Sequence, residues 1–291
     1  MSESLLFGVN VSTSATPEAD PVADAKRAED SGFDFVSSND HPGAADPNFE
    51  TWTMLTWMAA RTSRIKVASR VLGVPYRSPA IVAKMAESLD RLSDGRLILG
   101  LGGGSSDDEF RAFGLNVPSP REKVEALEEA IHVTRGLWSG PSFSYNGQHY
   151  RTEAAKLEPK PRHRIPIWLG SYGPRALAVT GRAADGWIPT LELAPPERVP
   201  AMRDRIHAAA EAAGRDPGDV TLVYNIDIRV GRASDLPPHV LVGPSDALVE
   251  TLSGFLGLGF RAFNFYPVGP GYHDQVEQLG RDIVPNVRAA L

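Results

Sequence analysis

The sequence predicts a single (β/α)8 barrel that spans residues 1–291. Strand patterns and helix patterns alternate eight times, and the strand patterns are apolar runs without strict alternation. Such strands are typical of a parallel sheet that is covered on both faces. The composition is 42% hydrophobic, which is enough for one large core. A doubly wound open sheet is the structural alternative, but it would normally need fewer strands at this length.

The first four strand–helix units occupy the first half of the chain. Their helices have ordinary boundary residues: Pro17 stands near the start of the first helix and Gly32 ends it. Ser78-Pro79 begin the third helix and Gly95 ends it. In order, the strands cover residues 5–11, 33–38, 65–71 and 96–102, and the helices cover residues 17–32, 48–63, 78–95 and 121–138.

An insertion at about residues 140–165 separates the fourth helix from the last four units. Asn146-Gly147 stands between Tyr-rich flanks in this insertion and predicts a hairpin turn. The remaining strands cover residues 165–170, 186–190, 220–231 and 260–267, and the helices cover residues 173–185, 195–214, 243–259 and about 273 onward.

The composition excludes several classes of partner and site. The formal net charge is −6 and both signs are interspersed, whereas binding to nucleic acid or to an anionic membrane needs a basic face. The lack of cysteine excludes disulfides, thiolate nucleophiles and Cys-based metal sites. The N-terminus has no basic region, and no apolar stretch approaches the ~20 residues that span a bilayer. We therefore expect a cytoplasmic protein with a small-molecule substrate.

The second strand ends in an unusual pair, Asp40-His41. Catalytic groups of such barrels come from the carboxyl ends of the strands, so the pair predicts a carboxylate that bonds a cofactor and an imidazole placed for proton transfer. The alternative is that Asp40 caps the turn at Pro42-Gly43. No HxH or HExxH spacing accompanies the pair, so no metal site is expected. Lys66 stands near the start of its strand, which argues against a Schiff base.

Two Gly-rich turns follow the fourth and fifth strands. Gly102, Gly103 and Gly104 lack a Cβ and let the backbone approach a flat ligand. Gly170, Ser171 and Gly173 precede Pro174-Arg175 at a helix start. Exposed N–H groups, a hydroxyl and an arginine at such a place predict a phosphate-binding site. The alternative is a tight βα turn that closes the barrel.

Three stretches together resemble the bacterial luciferase-like oxidoreductases, over nearly the whole chain. They are SSNDHP, the long run from VLGVPYRSPA to DDEFRAFG, and IPIWLGSYGPRALAVTGRAADGWIPT. In the branch that uses the deazaflavin F420, the resemblance implies that Asp40 contacts the cofactor and that His41 exchanges a proton with the substrate. It also implies a bulge at Arg70-Val71, often with a non-prolyl cis peptide, behind the cofactor ring. The residues Gly102, Gly103 and Gly104 would flank the ring, and Gly170, Ser171 and Gly173 would hold the phosphate.

The resemblance leaves the cofactor and substrate open. The DHP sequence favours F420, and the alternative is an FMN-dependent monooxygenase that works with a separate flavin reductase. A non-catalytic barrel is a third class. Sugar-phosphate dehydrogenases of this family carry a tryptophan shortly after the His and an acid directly after the Gly-rich turn. Here those places hold Pro42-Gly43-Ala44 and Ser105-Ser106, which argues against a sugar phosphate.

The helix of residues 49–60, from Phe49 to Ala60, is more apolar than an outer barrel helix needs. Phe49, Trp52, Leu55 and Ala59 form one stripe, and Met54, Trp57 and Met58 widen it. The excess predicts a homodimer interface, with burial under the insertion as the alternative. We expect the mouth of the barrel to be mostly apolar and aromatic, lined by Trp187, Thr190, Tyr172, Tyr266 and the insertion, and to suit an alcohol, ketone or enone.

Overall fold

The structure is a computed structural model that describes residues 5–43 and 46–290. Eight parallel strands close into a barrel, because the sixth pairs with the seventh, the seventh with the eighth and the eighth with the first. The predicted (β/α)8 fold is therefore confirmed. The barrel strands are β1 (Leu6–Asn10), β2 (Phe35–Ser38), β3 (Lys66–Ser69), β4 (Leu97–Gly102), β5 (Ile167–Leu169), β6 (Gly186–Trp187), β7 (Thr221–Val230) and β8 (Ala262–Pro267).

Each barrel strand is followed by an outer helix. The first helix begins at Pro21 and not at Pro17, because the Asp20 side chain accepts the N–H groups of Val22 and Ala23 and so fixes the start. The outer helices are α1 (Pro21–Asp30), α2 (Thr51–Arg61), α3 (Pro79–Leu92), α4 (Pro120–Ser139), α5 (Pro174–Ala183), α6 (Val199–Ala212), α7 (Ser245–Leu256) and α8 (Tyr272–Gln278).

Shorter elements lie between or after these units, and several of them stand at the carboxyl end of the barrel. The strand Leu72–Gly73 pairs with the end of β4, and the strand Leu241–Gly243 pairs with the end of β7. The others are the 3-10 turns Val74–Tyr76 and Pro217–Asp219, the helix Asp107–Ala112, the hairpin strands Phe143–Asn146 and Arg151–Ala155, the π-helical turn Leu279–Ile283 and the helix Val284–Arg288.

The barrel interior and the layer between strands and helices are separate apolar clusters. Trp187 belongs to the outer layer, where its ring stacks on Phe260 at a centroid distance of 6.3 Å. The expectation that Trp187 lines the mouth is therefore wrong, because the side chain of this strand residue points outward. The interior cluster contains Phe35, Ala68, Ile98, Trp168, Ile188, Val223 and Ala262.

The insertion forms the predicted hairpin, but it packs on the outside of the barrel. Glu129 of α4 accepts the N–H groups of Gln148, His149 and Tyr150 at 2.7, 2.9 and 2.9 Å, which holds the turn against that helix. Gly136 of α4 leaves room for the Phe143 ring, which a Cβ would approach to 2.2 Å. The hairpin therefore neither lines the mouth nor covers Trp57, which is 56% exposed. In the described part of the chain, no helix is long and apolar enough to cross a membrane.

Candidate functional site

Two adjoining cavities open at the carboxyl ends of the barrel strands. The main cavity has a volume of about 360 Å³ and the side cavity about 220 Å³. A larger cavity of about 430 Å³ lies at the opposite end of the barrel, where the strands begin. In (β/α)8 barrels the residues at that end contribute to stability and not to catalysis. The main cavity is lined by Asp40, His41, Arg70, Val71, Gly73, Tyr76, Gly102, Gly103, Gly104, Ser105, Gly170, Tyr172, Ile188, Thr190, Leu193 and Asn225. The side cavity is lined by Asn39, Arg70, Thr190, Leu191, Glu192, Asn225, Asp227, His239 and Tyr266.

The mouth is more polar than the sequence led us to expect. Of the four residues expected to line it, Tyr172 and Thr190 face the main cavity and Tyr266 faces the side cavity. The aromatic contribution is small because Trp187 points outward and the hairpin lies elsewhere. Charged and amide side chains, among them Arg70, Asn225 and Asp227, make up much of the lining of the two cavities.

Asp40 is buried at the edge of the main cavity, and its carboxylate is already bonded. Arg77 donates to both oxygens, at 2.7 and 2.9 Å, and the Gly73 N–H donates at 2.9 Å. Arg77 also donates to Glu50 at 2.6 Å, and Glu50 caps the start of α2. Asp40 therefore positions the segment that follows β3, and a direct contact between Asp40 and a cofactor stays a prediction.

The peptide bond between Arg70 and Val71 is cis, as the family resemblance implied. The backbone approaches β4 very closely here, since a Cβ on Gly100 would lie 1.9 Å from the Ser69 carbonyl oxygen. The Val71 side chain faces the main cavity and occupies the space in front of Gly102, where a Cβ would meet it at 2.6 Å. The segment thus lines the cavity, and its contact with a cofactor ring stays a prediction.

His41 is paired with Glu109 in the main cavity. The distances from His41 Nδ1 to the two carboxylate oxygens are 3.1 and 3.3 Å. The Tyr76 hydroxyl donates to Glu109 at 2.6 Å, and burial, followed by Glu109 itself, raises the pKa of the Tyr76 phenol. Because a carboxylate only accepts, Nδ1 carries the shared hydrogen and Nε2 is left to exchange a proton.

Glu109 is the residue at this site that the sequence analysis did not name. The Ser106 hydroxyl accepts the Glu109 N–H at 3.2 Å and caps the short helix Asp107–Ala112, which aims Glu109 back at His41. The signal in the sequence was the spacing Ser-x-x-Glu, which marks a helix start. Ala44, one of the positions at which the family pattern is absent, lies outside the described residues.

The three glycines after β4 line the main cavity, but the packing of the chain itself also requires them. Gly104 has a φ of +79°, and a Cβ on it would lie 2.4 Å from the Phe110 ring. A Cβ on Gly103 would lie 3.1 Å from the Lys123 side chain. The absence of Cβ atoms therefore serves the turn and its neighbours, and contact with a flat ligand stays a prediction.

The turn after β5 offers backbone groups and not a hydroxyl. Ser171 is buried, and its hydroxyl shares a hydrogen bond of 2.7 Å with Thr180 of α5. Gly170 lines the main cavity, and Gly173 is the N-cap of α5, a helix start without a side-chain cap. The structure thus assigns Ser171 a role in the turn, and a phosphate here would be held by N–H groups of α5.

No group of three or more His, Asp or Glu side chains within residues 5–43 and 46–290 could hold a metal ion.

The family model for luciferase-like monooxygenases matches residues 4–236. This chain belongs to the luciferase-like monooxygenase family. The resemblance stated from the sequence is therefore confirmed.

The named relatives place the chain in the branch of F420-dependent oxidoreductases. An F420-dependent glucose-6-phosphate dehydrogenase from Nakamurella multipartita is 30% identical over 92% of this chain and 92% of its own length. A protein of the same name from Amycolatopsis mediterranei is 28% identical over 98% of this chain and 99% of its own length. The chain is thus an enzyme of this family, an oxidoreductase.

Solved structures of other members share the fold. An F420-dependent secondary alcohol dehydrogenase, in complex with an F420-acetone adduct, has a TM-score of 0.87 at 18% identity, with 98% of this chain and 99% of that one covered. The F420-dependent tetrahydromethanopterin reductase from Methanopyrus kandleri has a TM-score of 0.83 at 21% identity, with the same coverage. A long-chain alkane monooxygenase has a TM-score of 0.82 at 14% identity, covering 99% of this chain and 92% of that one. At these identities the likeness shows the barrel alone.

Proposed function

We propose that this luciferase-like enzyme uses F420 to oxidise a small alcohol or reduce the corresponding carbonyl compound. The observation that carries the proposal is the pairing of His41 with Glu109 at the main cavity, at the carboxyl ends of the barrel strands. Two relatives that match more than nine-tenths of the chain are named as F420-dependent dehydrogenases, which supports this cofactor over FMN.

The residues present fit such a cofactor. The main cavity is walled by the apolar Val71 and Ile188 and by Gly102 and Gly103, which present little side chain to a flat ring. The start of α5 has no side-chain cap, so its N–H groups are available to a phosphate. Bound there, F420 would supply the hydride chemistry, and the protein would supply orientation and a proton partner.

The proton partner in this proposal is His41 Nε2. Glu109 accepts from Nδ1, which orients the imidazole and stabilises it when it is protonated. Tyr76 holds Glu109 from the other side. During alcohol oxidation His41 takes the hydroxyl proton as the carbonyl group forms, and in the reverse direction it returns that proton.

A titration of the cofactor-free protein with F420 and, separately, with FMN tests the proposal. Quenching of tryptophan fluorescence reports binding, and we expect F420 to bind at least tenfold more tightly. Preference for FMN would instead support a monooxygenase supplied by a separate flavin reductase. His41→Ala should abolish turnover while F420 still binds, and His207→Ala, at the opposite end of the barrel, is the matched control. Turnover that survives His41→Ala would remove His41 from the mechanism.

A further inference from the structure

Arg70 stands at the junction of the two cavities and lines both. Its Nε donates to Asn10 Oδ1 at 3.1 Å, and a terminal nitrogen donates to Asn39 Oδ1. Its guanidinium carbon lies 5.6 Å from the centre of the Tyr266 ring. All of these partners are neutral. Within the part of the chain that the structure describes, no carboxylate lies at salt-bridge distance from Arg70.

A guanidinium held in this way carries a positive charge that no directly bonded carboxylate neutralises. Burial lowers the pKa of Arg70, which shows that its surroundings disfavour the charged form, although Tyr266 and Asp227 act in the opposite direction. A buried cation is costly unless a counter-charge accompanies it. An anionic group that enters the mouth would supply that counter-charge and could accept two parallel hydrogen bonds from the guanidinium.

The rest of the side cavity limits what kind of anion fits. Asp227 lies in it and pairs with His239 at 3.2 Å, and Glu192 stands at its exposed rim. These two carboxylates make the cavity unsuitable for a dianionic group such as a phosphate. They suit a ligand that has a single negative charge and further hydroxyl groups.

We propose that the side cavity is the recognition subsite for the substrate and that it selects small hydroxy or oxo carboxylic acids, whose carboxylate pairs with Arg70. This inference rests on the proposed function, since it names the substrate class of that same site. The carbinol carbon then lies in the main cavity, which Arg70 shares. The substrate loses a hydride, with its two electrons, to F420 and its hydroxyl proton to His41, and the oxo acid forms.

Matched pairs of compounds test this without any variant. Lactate and 3-hydroxybutyrate are compared with 2-propanol and 2-butanol, in which a methyl group replaces the carboxylate, as substrates of the F420-loaded protein. Pyruvate and acetone are compared as ligands by saturation-transfer NMR, which does not depend on turnover. We expect kcat/KM to be at least about tenfold higher for the acids, and we expect transfer to pyruvate but not to acetone at equal concentration.

Variants of Arg70 assign the preference to this residue. Arg70→Gln should lower kcat/KM for the acids by about 10- to 100-fold more than it lowers kcat/KM for the alcohols, and Arg70→Lys should recover part of that difference. Arg232→Gln removes the same charge from an exposed position just beyond β7 and is the control. Thermal unfolding and F420 titration confirm that each variant is folded and loaded.

Each other result overturns the inference in a recognisable way. Preference for the alcohols while F420 is bound would refute the substrate class and leave the proposed function standing. Loss of F420 affinity in Arg70→Gln would show that the arginine serves the cofactor and not the substrate. If F420 did not bind the natural protein, the proposed function would fail. The NMR comparison on cofactor-free protein would then still decide whether Arg70 binds carboxylates.

Discussion

His41 Nδ1 lies 3.1 Å from a carboxylate oxygen of Glu109, although 68 positions separate the two residues in the chain. The histidine side chain is 45% exposed, whereas that of Glu109 is 10% exposed. The carboxylate therefore sits behind the imidazole, and the imidazole faces the open cavity. This order is what a proton-transfer residue and its orienting partner require.

Replacing Glu109 with Gln should slow the chemistry without releasing the cofactor. The amide fills the same space but no longer stabilises the protonated imidazole, so we expect kcat/KM to fall by about 10- to 100-fold. The F420 dissociation constant should change by less than about twofold, because Glu109 faces His41 and Tyr76. Absorbance assays of F420 turnover and fluorescence titration measure the two quantities. Asp108→Asn is the control, because Asp108 is an exposed neighbour on the same helix. Equal losses of kcat/KM in the two variants would contradict the role given to Glu109.

Tyr76 should not contribute to the alkaline limb of the pH profile. Burial raises the pKa of its phenol, and the hydrogen bond to Glu109 raises it further. A raised phenol pKa favours the neutral form, so Tyr76 stays a hydrogen-bond donor up to at least about pH 10, its ordinary value. Tyr76→Phe should lower kcat/KM, yet the pH at which the alkaline limb falls should be the same as in the natural protein. A shift of that limb in the variant would show that Tyr76 titrates in this range.

Asp40→Asn should both destabilise the barrel and weaken cofactor binding. The carboxylate side chain is 1% exposed and faces Arg77, which is 16% exposed, so the change leaves the guanidinium with only the more exposed Glu50 as a counter-charge. Breaking such a pair costs about 3 kcal/mol in the free energy of unfolding. The Gly73 N–H, at the edge of the main cavity, would also lose a charged acceptor. Urea unfolding and F420 titration measure the two effects.

Glu50→Gln is the comparison for Asp40→Asn, since Glu50 also bonds Arg77 but is 45% exposed on its side chain. We expect a loss of less than about 1 kcal/mol for this exposed partner. If the two variants were equally stable, the Asp40–Arg77 pair would not be what holds the segment after β3.

The strand ends could be predicted from the sequence because a parallel barrel puts all of them at one end. That rule places Asp40, His41 and the Gly-rich turns together, whereas the bulge at Arg70-Val71 was implied only by the family resemblance. It could not give the direction of individual side chains. Ser171 turns away because Thr180 of α5 offers its hydroxyl a buried partner.

Long-range docking was the other part that sequence patterns could not supply. Asn146-Gly147 predicted the hairpin turn. The position of the hairpin, however, depends on three backbone N–H groups that donate hydrogen bonds to Glu129 of α4. Met54 and Met58 looked like surplus apolar surface on α2, and the structure buries both within the chain. Of the widened stripe only Trp57 stays largely exposed, and Phe49 of the original stripe is 40% exposed.

The prediction of a homodimer rests on the exposed side chain of Trp57. It is 56% exposed on α2, and the next outer helix, α3, exposes Ile81 by 59% and Leu92 by 83%. Large apolar side chains exposed on adjacent helices mark an association surface, since removing water from them is favourable.

We expect a dimer at micromolar concentration by size-exclusion chromatography with light scattering. Trp57→Glu should convert it to a monomer without lowering the thermal midpoint, because the side chain makes little contact within its own subunit. Val242→Glu changes an exposed apolar residue away from these helices and should leave the dimer intact. A natural protein that stays monomeric by light scattering at tens of micromolar would refute the homodimer.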